Sequence, residues 1–100
     1  MAAWPRDFDW DSGNREKCQK HGVPIAEIEV FFAGAPRVAP SPGYSLIEDR
    51  YVAVGRDSKG RAMFVAFTVR EKNGRRFLRP ISARYMHKKE IEGYEKKKSP

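Results

Sequence analysis

The chain contains very little cysteine and histidine. Among its 100 residues Cys18 is the single cysteine, so no disulfide can form within the chain. Together with His21 and His87 it cannot supply a zinc site of the usual spacing, and we expect neither a metal nor a cofactor. No run approaches the roughly 20 apolar residues of a membrane helix. The N-terminus lacks the order of a signal peptide, so we expect a soluble cytoplasmic protein without membrane contact.

Positive charge is abundant and unevenly placed. Lys and Arg number 20 against 13 Asp and Glu, and the net charge is +7. Residues 1–49 carry a net charge of −3, whereas residues 50–100 carry +10. Such a basic half indicates a polyanionic partner such as nucleic acid, although a solvated surface with a basic tail at 96–100 would have the same charge. The length predicts one domain, with its core at about 8–95, and we expect no separate cofactor domain.

The first half of the sequence predicts a short strand followed by two helices. Residues 8–10 alternate between apolar and polar and precede Asp11-Ser12, where either residue can cap a helix at about 13–20. A second helix begins near Pro24, and its apolar stripe should pack on a sheet. The stripe consists of Ile25, Ile28, Phe31 and Phe32. Residues 35–43 contain three prolines and are predicted to be mostly loop, with at most a short edge strand.

The second half predicts an antiparallel meander. Strands at about 51–55, 62–69 and 75–84 are joined by two short turns that contain glycine. The apolar run 62–69 is typical of a central strand that is buried on both faces. Pro80 cannot donate a hydrogen bond to a neighbouring strand, so it predicts a bulge or an unpaired side. Simple alternation along the third strand places Phe77 and Ala83 on one face.

A helix at about 86–96 closes the chain, with His87, Ile91 and Tyr94 on one side. The predicted order is therefore β-α-α-β-β-β-α, an α+β domain with helices packed on a twisted antiparallel sheet.

Several fragments of the sequence, in their order along the chain, resemble the BrnT family of type II toxins, which share the RelE-like ribonuclease fold. They are Phe8-Asp9-Trp10-Asp11, Lys20-His21-Gly22-Val23, Glu48-Asp49-Arg50-Tyr51, Val54-Gly55 with Gly60-Arg61, and Arg79-Pro80-Ile81-Ser82-Ala83-Arg84.

The resemblance covers roughly residues 8–95 and implies both an activity and a partner. The implied activity is cleavage of RNA by an endoribonuclease, which inhibits translation. The implied partner is a BrnA-like antitoxin with a ribbon-helix-helix part, in a hetero-oligomer with the toxin. Because the second half carries +10, we expect an acidic, helix-forming antitoxin to dock over the basic surface.

Cleavage of RNA without a metal needs a base for the ribose 2′-OH, an acid for the leaving oxygen and cations for the developing charge. Arginine suits the last task because it is permanently charged and binds phosphate with two hydrogen bonds. Four arginines lie on or at the ends of neighbouring predicted strands and are expected to converge on one sheet face. They are Arg61, Arg70, Arg79 and Arg84.

The sequence leaves the proton carriers open. The candidates are Lys20, His21, Glu48 and His87, and the resemblance implies that Lys and Arg can suffice without histidine. The position of His21 favours capping of a helix end over catalysis, and that of His87 favours a half-buried structural role. We predict a catalytic set of Lys20, His21, Arg61 and Arg84, and an RNA-binding set of Arg50, Arg70, Arg79, Tyr85 and His87.

The aromatic residues divide by their spacing. Trp10, Phe64, Phe67 and Phe77 have core spacing, whereas Tyr44, Tyr51 and Tyr85 are better placed for RNA. A noncatalytic module that binds RNA or a protein on the same basic face remains an alternative. The two functions are distinguished by whether Lys20, Arg61 and Arg84 meet in one cleft.

Overall fold

A computed structural model of the chain describes residues 4–41 and 50–98. Its elements are α1 (Ser12–Gln19), α2 (Ile25–Ala33), β1 (Arg37–Pro40), β2 (Arg50–Arg56), β3 (Ala62–Lys72), β4 (Arg75–Tyr85) and α3 (Lys88–Lys98). The four strands form one antiparallel sheet in the order β1-β2-β3-β4. The predicted α+β architecture is confirmed.

Local sequence signals explain where α1 begins. Asp11 caps the helix: its side chain accepts from the backbone N–H of Asn14 at 3.0 Å, and the Asn14 side chain accepts from the backbone N–H of Asp11 at 2.7 Å. This reciprocal pair satisfies two backbone donors that a helix start leaves open. After the helix, Gly22 has a φ of +82°, a conformation that glycine adopts without strain.

The apolar stripe of α2 packs on the sheet as predicted. Ile28 and Phe31 are buried, and the ring of Phe32 meets that of Phe67 edge-on at 5.1 Å. Along β3 the side chains of Met63, Val65 and Phe67 are fully buried on this side. We call this side of the sheet the core face.

Both predicted turns between strands are present. The β2–β3 turn ends at Gly60, whose φ is +80°. The β3–β4 turn places Asn73 at φ 53° and Gly74 at φ 79°. Positive φ at two successive central residues is the type I′ geometry, whose twist matches that of the flanking strands.

Two predictions about the N-terminal half are wrong in detail. Phe8 forms only an isolated parallel bridge with Leu78, because β4 pairs with β3 on its other side and the segment soon turns into α1. Conversely, Arg37–Pro40 is a true edge strand where mostly loop was expected. Pro36 precedes this strand and Pro40 ends it, so neither proline removes a donor from its middle.

The bulge predicted at Pro80 is present and decides which side chains share a face. The pairing of β3 with β4 shifts between Ala66 and Phe67, which face Ser82 and Pro80. The extra residue reverses the alternation, so Phe77 lies on the opposite face from Ala83, and the prediction that they share one is wrong.

We call the side of the sheet opposite the core face the outer face. Along β3 it carries Phe64, Ala66, Thr68 and Arg70, and along β4 Phe77, Arg79, Ser82 and Arg84. Phe64 and Ala66 are only half-buried, so burial of the strand on both faces is correct only in part. Phe64 and Phe77, expected in the core, lie on the outer face under cationic side chains.

Candidate nucleic-acid interface

Cationic side chains gather at one end of the outer face. Arg50 of β2 and Arg79 of β4 are both paired with Thr68 of β3, so they flank it in a single row across the sheet. Arg70 lies two residues further along β3 on the same face, since side chains alternate along a strand. Three of the five predicted RNA-binding residues therefore lie side by side.

These arginines line a cleft of about 260 Å³ together with α1. The lining residues are Gly13, Asn14, Lys17, Arg50, Arg70, Arg79 and Ile81. We call the four cations among them, Lys17, Arg50, Arg70 and Arg79, the basic cleft. Each comes from a different element, so the fold creates this concentration of positive charge, which attracts polyanions.

Asn14 fixes the wall of the basic cleft. Its side chain is buried, and Nδ2 donates to the backbone oxygens of Asp9 and Pro80, both at 2.9 Å. These bonds attach α1 to β4 at the bulge, where Pro80 interrupts regular pairing. Lys17 lies one turn further along α1 and is thereby held at the cleft.

Carboxylates hold Arg79 in place. Its guanidinium lies 2.8 Å from Asp11 Oδ2 and 3.4 Å from Asp9 Oδ2, and its side chain is 16% exposed. The pKa of Asp11 is lowered by the backbone N–H of Asn14 and by the hydrogen bond from Arg79. Asp9 also accepts from Lys72 Nζ at 2.9 Å. Arg79 is thus a positioned donor whose charge is partly compensated.

Arg50 differs from Arg79 in its partners. Among the described residues, its Nε is a buried nitrogen with no hydrogen-bond partner. A buried donor without an acceptor is costly in a folded protein and is rare for that reason. The residue with this unpartnered nitrogen is one of those that line the basic cleft.

Arg84 lies at the other end of the outer face. Its two terminal nitrogens donate to both carboxylate oxygens of Glu90, at 2.7 and 2.8 Å, and its guanidinium lies 4.9 Å from the centre of the Phe64 ring. The bond raises the pKa of Arg84, and it lowers the pKa of Glu90 to about 2, with help from the backbone N–H of His87. Arg84 is therefore paired at the start of α3.

Arg61 occupies a different place. It donates to Asp57 at 3.0 Å and to the Tyr85 hydroxyl at 2.7 Å, and its guanidinium lies 4.1 Å from the centre of the Tyr85 ring. Tyr85 is paired with Met63 and so lies on the core face, opposite Arg84. The expected convergence of Arg61 with Arg84 is therefore wrong, because Asp57 holds Arg61 at the β2–β3 turn. Lys20, Arg61 and Arg84 do not meet in one cleft, so the catalytic set predicted from the sequence does not form one site. The expected placement of Tyr85 beside the RNA-binding arginines is also wrong, because Tyr85 lies on the core face and these arginines lie on the outer face.

Asp57 organises this turn. Its side chain is fully buried and accepts from the backbone N–H groups of Lys59 and Arg61, each at 2.9 Å. Burial acts to raise the pKa of Asp57, but the hydrogen bonds from Arg61 and Lys59 outweigh it, and the pKa is lowered. The carboxylate therefore stays ionised and ties Arg61 to the turn.

The predicted proton carriers are dispersed. Lys20 is the exposed C-cap residue that follows α1, three residues after Lys17 and hence on nearly the same side of the helix. His21 is exposed beyond that end. His87 is exposed immediately before α3, so the half-buried position expected for it is wrong: the helix begins at Lys88 rather than at 86. Glu48 lies outside the described residues.

Of the tyrosines predicted to favour RNA, the two that the structure describes, Tyr51 and Tyr85, do not line the basic cleft. Tyr51 stacks on Phe67 at 5.4 Å and meets Trp4 at 5.0 Å, on the core face. Its expected availability for RNA is therefore wrong. Tyr44 lies outside the described residues.

The sequence held a weak signal for Asn14 and Lys17, two residues of the cleft that it did not identify. Asp11 and Asn14 have the spacing of a reciprocal cap, but the attachment of Asn14 to Pro80 depends on tertiary structure. Lys17 was distinguishable only by its position one turn before Lys20.

Within residues 4–41 and 50–98, no cluster of three His, Cys, Asp or Glu residues is arranged to hold a metal. In the same ranges no helix has the length and apolar character needed to cross a bilayer.

A small α+β domain with a basic cleft on an open antiparallel sheet defines a class of proteins suited to binding polyanions. Comparison with known families identifies the family. Residues 10–90 match the family described as "Ribonuclease toxin, BrnT, of type II toxin-antitoxin system". The chain belongs to this family, as its sequence fragments predicted, and the family implies an RNA target and an antitoxin partner. No curated protein matches the chain at a significant level.

Proposed function

We propose that the chain is a cytoplasmic endoribonuclease that binds RNA in the basic cleft, cleaves it with its own side chains and so inhibits translation. The observation that carries this proposal is the meeting of four cations from α1, β2, β3 and β4 in one cleft. Membership in a family of ribonuclease toxins supports the same function.

The reaction that suits such a cleft is attack of a ribose 2′-OH on the adjacent phosphorus. A base takes the 2′ proton, the bond to the 5′ oxygen breaks, and an acid gives that oxygen a proton, leaving a 2′,3′-cyclic phosphate. Negative charge grows on the phosphate oxygens, where arginine and lysine donors stabilise it. Arg50 and Arg70 are proposed to bind these oxygens, with Arg79 held ready by Asp9 and Asp11.

Proton transfer is proposed for Lys20 and His21, which follow Lys17 at the end of α1. An imidazole can serve as base or acid near neutral pH without a large change in its pKa. Arg84 is proposed to add charge from the other end of the outer face. The cleavage rates of Lys20→Ala and His21→Ala across pH would show which group carries the proton.

The test of the activity compares variants in the cleft with matched variants outside it. Purified protein is incubated with labelled RNA in the presence of a metal chelator, and the rate at which RNA ends with a 2′,3′-cyclic phosphate form is measured. Lys17→Ala and Arg70→Ala should slow cleavage by about tenfold or more, since removal of one donor to a developing charge typically costs about a hundredfold. Lys59→Ala in the β2–β3 turn and Arg76→Ala at the tip of β4 are the exposed controls.

Equal rates for the cleft variants and the wild type would overturn the proposed site. Tight binding of RNA without any cleavage by the wild type would favour the alternative, a noncatalytic module on the same surface. Circular dichroism of each variant shows whether its fold is intact.

We propose further that a BrnA-like antitoxin with a ribbon-helix-helix part covers the basic cleft with an acidic segment. Charge complementarity supports this, since residues 50–100 carry +10. In a purified complex, the antitoxin should protect Lys17 from acetylation and leave Lys59 reactive. Equal reactivity of both lysines in the complex would contradict this docking.

A further inference from the structure

An apolar strip separates the basic cleft from Arg84 on the outer face. It consists of the half-buried side chains of Val52, Val54, Phe64 and Ala66. Strand pairing aligns Val52 with Ala66 and Val54 with Phe64, so the strip is two rows deep. Apolar side chains do not bind phosphate. Because the strip lies between cationic side chains, we expect its ligand to have both charged and apolar parts.

The strip has the length of a few nucleotides. Thr68, which lies between Arg50 and Arg79, is four residues from Phe64, which is paired with Arg84. At about 3.3 Å per residue, the two cationic ends are about 13 Å apart. This corresponds to about four stacked nucleotides at 3.4 Å each, or fewer in an extended strand. A strand that contacts both ends must lay its bases over the strip.

At the far end of this strip the guanidinium of Arg84 lies over the ring of Phe64, and we call these two groups the platform. The guanidinium carbon of Arg84 lies 4.9 Å from the ring centre, and both terminal nitrogens are fixed by Glu90. The Arg84 side chain is 37% exposed. Unpaired bases stack on aromatic rings and on guanidinium planes, and this stacking tolerates different base identities.

We propose that the basic cleft takes single-stranded RNA, with one base stacked on the platform of Phe64 and Arg84. In a double helix the base faces are stacked on one another, so only sugars, phosphates and base edges could meet the strip. The inference rests on the proposed binding of RNA in the basic cleft and adds the form of RNA that is bound.

The experiment measures binding by fluorescence anisotropy. The probe is a labelled 2′-O-methyl RNA, which lacks the attacking hydroxyl, used alone and annealed to its complement. Phe64→Leu should weaken binding of the single strand by about fivefold or more, the lower end of base stacking. Val30→Ala is the control, because Val30 is an exposed apolar side chain of α2, away from the outer face, and its effect should stay within about twofold.

Salt dependence separates stacking from charge. Loss of one phosphate contact, as in Lys17→Ala, should reduce the slope of log affinity against log salt by about 0.7 for a single strand. Phe64→Leu should leave that slope unchanged and lower the affinity at every salt concentration. Arg84→Lys keeps the positive charge but removes the planar guanidinium, so it should also weaken single-strand binding. It replaces Phe64→Leu as the test if that variant does not fold.

The outcomes distinguish this inference from the proposed function. If Lys17→Ala weakens binding while Phe64→Leu and Arg84→Lys match the wild type, the stacking platform is refuted and the RNA site stands. If duplex binds as well as single strand, and Phe64→Leu affects both equally, the preference for single strands is refuted. If neither Lys17→Ala nor Phe64→Leu changes binding, both proposals are overturned.

Discussion

Replacement of Asn14 by alanine should destabilise the protein by about 2–3 kcal/mol. The side chain makes three hydrogen bonds, two from Nδ2 to the oxygens of Asp9 and Pro80 and one to Oδ1 from the N–H of Asp11. Each contributes about 1 kcal/mol, and alanine leaves the three backbone groups without the bonds that Asn14 supplies. Alanine returns about 0.5 kcal/mol through its higher helix propensity, which gives the net figure.

Urea denaturation followed by circular dichroism measures this change in the free energy of unfolding. Glu16→Ala on the exposed side of α1 is the matched control and should change it by less than about 0.5 kcal/mol. Asn14→Asp keeps the acceptor but loses both donors, so it should be destabilised at least as much as the alanine variant. A loss below about 1 kcal/mol for Asn14→Ala would refute the claim that this residue attaches α1 to the β4 bulge.

Three further predictions concern other parts of the fold. The bond from Arg84 holds the pKa of Glu90 at about 2, below its ordinary 4.5. The stabilisation of α3 by this bond should therefore be complete above about pH 4.5 and lost as the pH falls toward 2. An NMR titration of the Glu90 carboxyl checks this, and an unchanged pKa in Arg84→Gln would contradict it. Burial raises the pKa of Cys18 to about 11, so a thiol reagent at pH 8 should react with it far more slowly in the folded than in the unfolded protein, and equal rates would show that the thiol is accessible. A Cβ at Gly55 would lie 2.9 Å from Pro36 Cβ and 3.1 Å from Phe31, so Gly55→Ala should cost about 1–3 kcal/mol in urea denaturation, and an unaltered stability would mean that α2 and β2 can separate locally.

Local chemistry made much of the fold predictable. The cap at Asp11, the positive φ at Asn73 and Gly74, and the bulge at Pro80 follow from properties of single residues. The edge strand at Arg37–Pro40 was underestimated because prolines at its ends are compatible with pairing between them. These signals are local, so they require no knowledge of the tertiary structure.

The site was harder to predict because its composition depends on side-chain direction. One extra residue at a bulge moves every side chain before it in the strand to the opposite face of the sheet. This shift brings Arg79 to the same face as Arg84. Arg61 was misplaced because the ionised Asp57 holds it at its turn. Lys17 joined the site only through the attachment of α1 by Asn14, which no spacing in the sequence specifies.

The measurement that tests the basic cleft most directly is an NMR titration of the ¹⁵N-labelled protein with a single-stranded 2′-O-methyl RNA. We predict that the largest amide shifts fall on Lys17, Arg50, Arg70 and Arg79 and their neighbours, and that residues around Arg61 stay unchanged. Shifts concentrated at Arg61 and Tyr85, with the cleft unaffected, would contradict the assignment of RNA binding to the outer face.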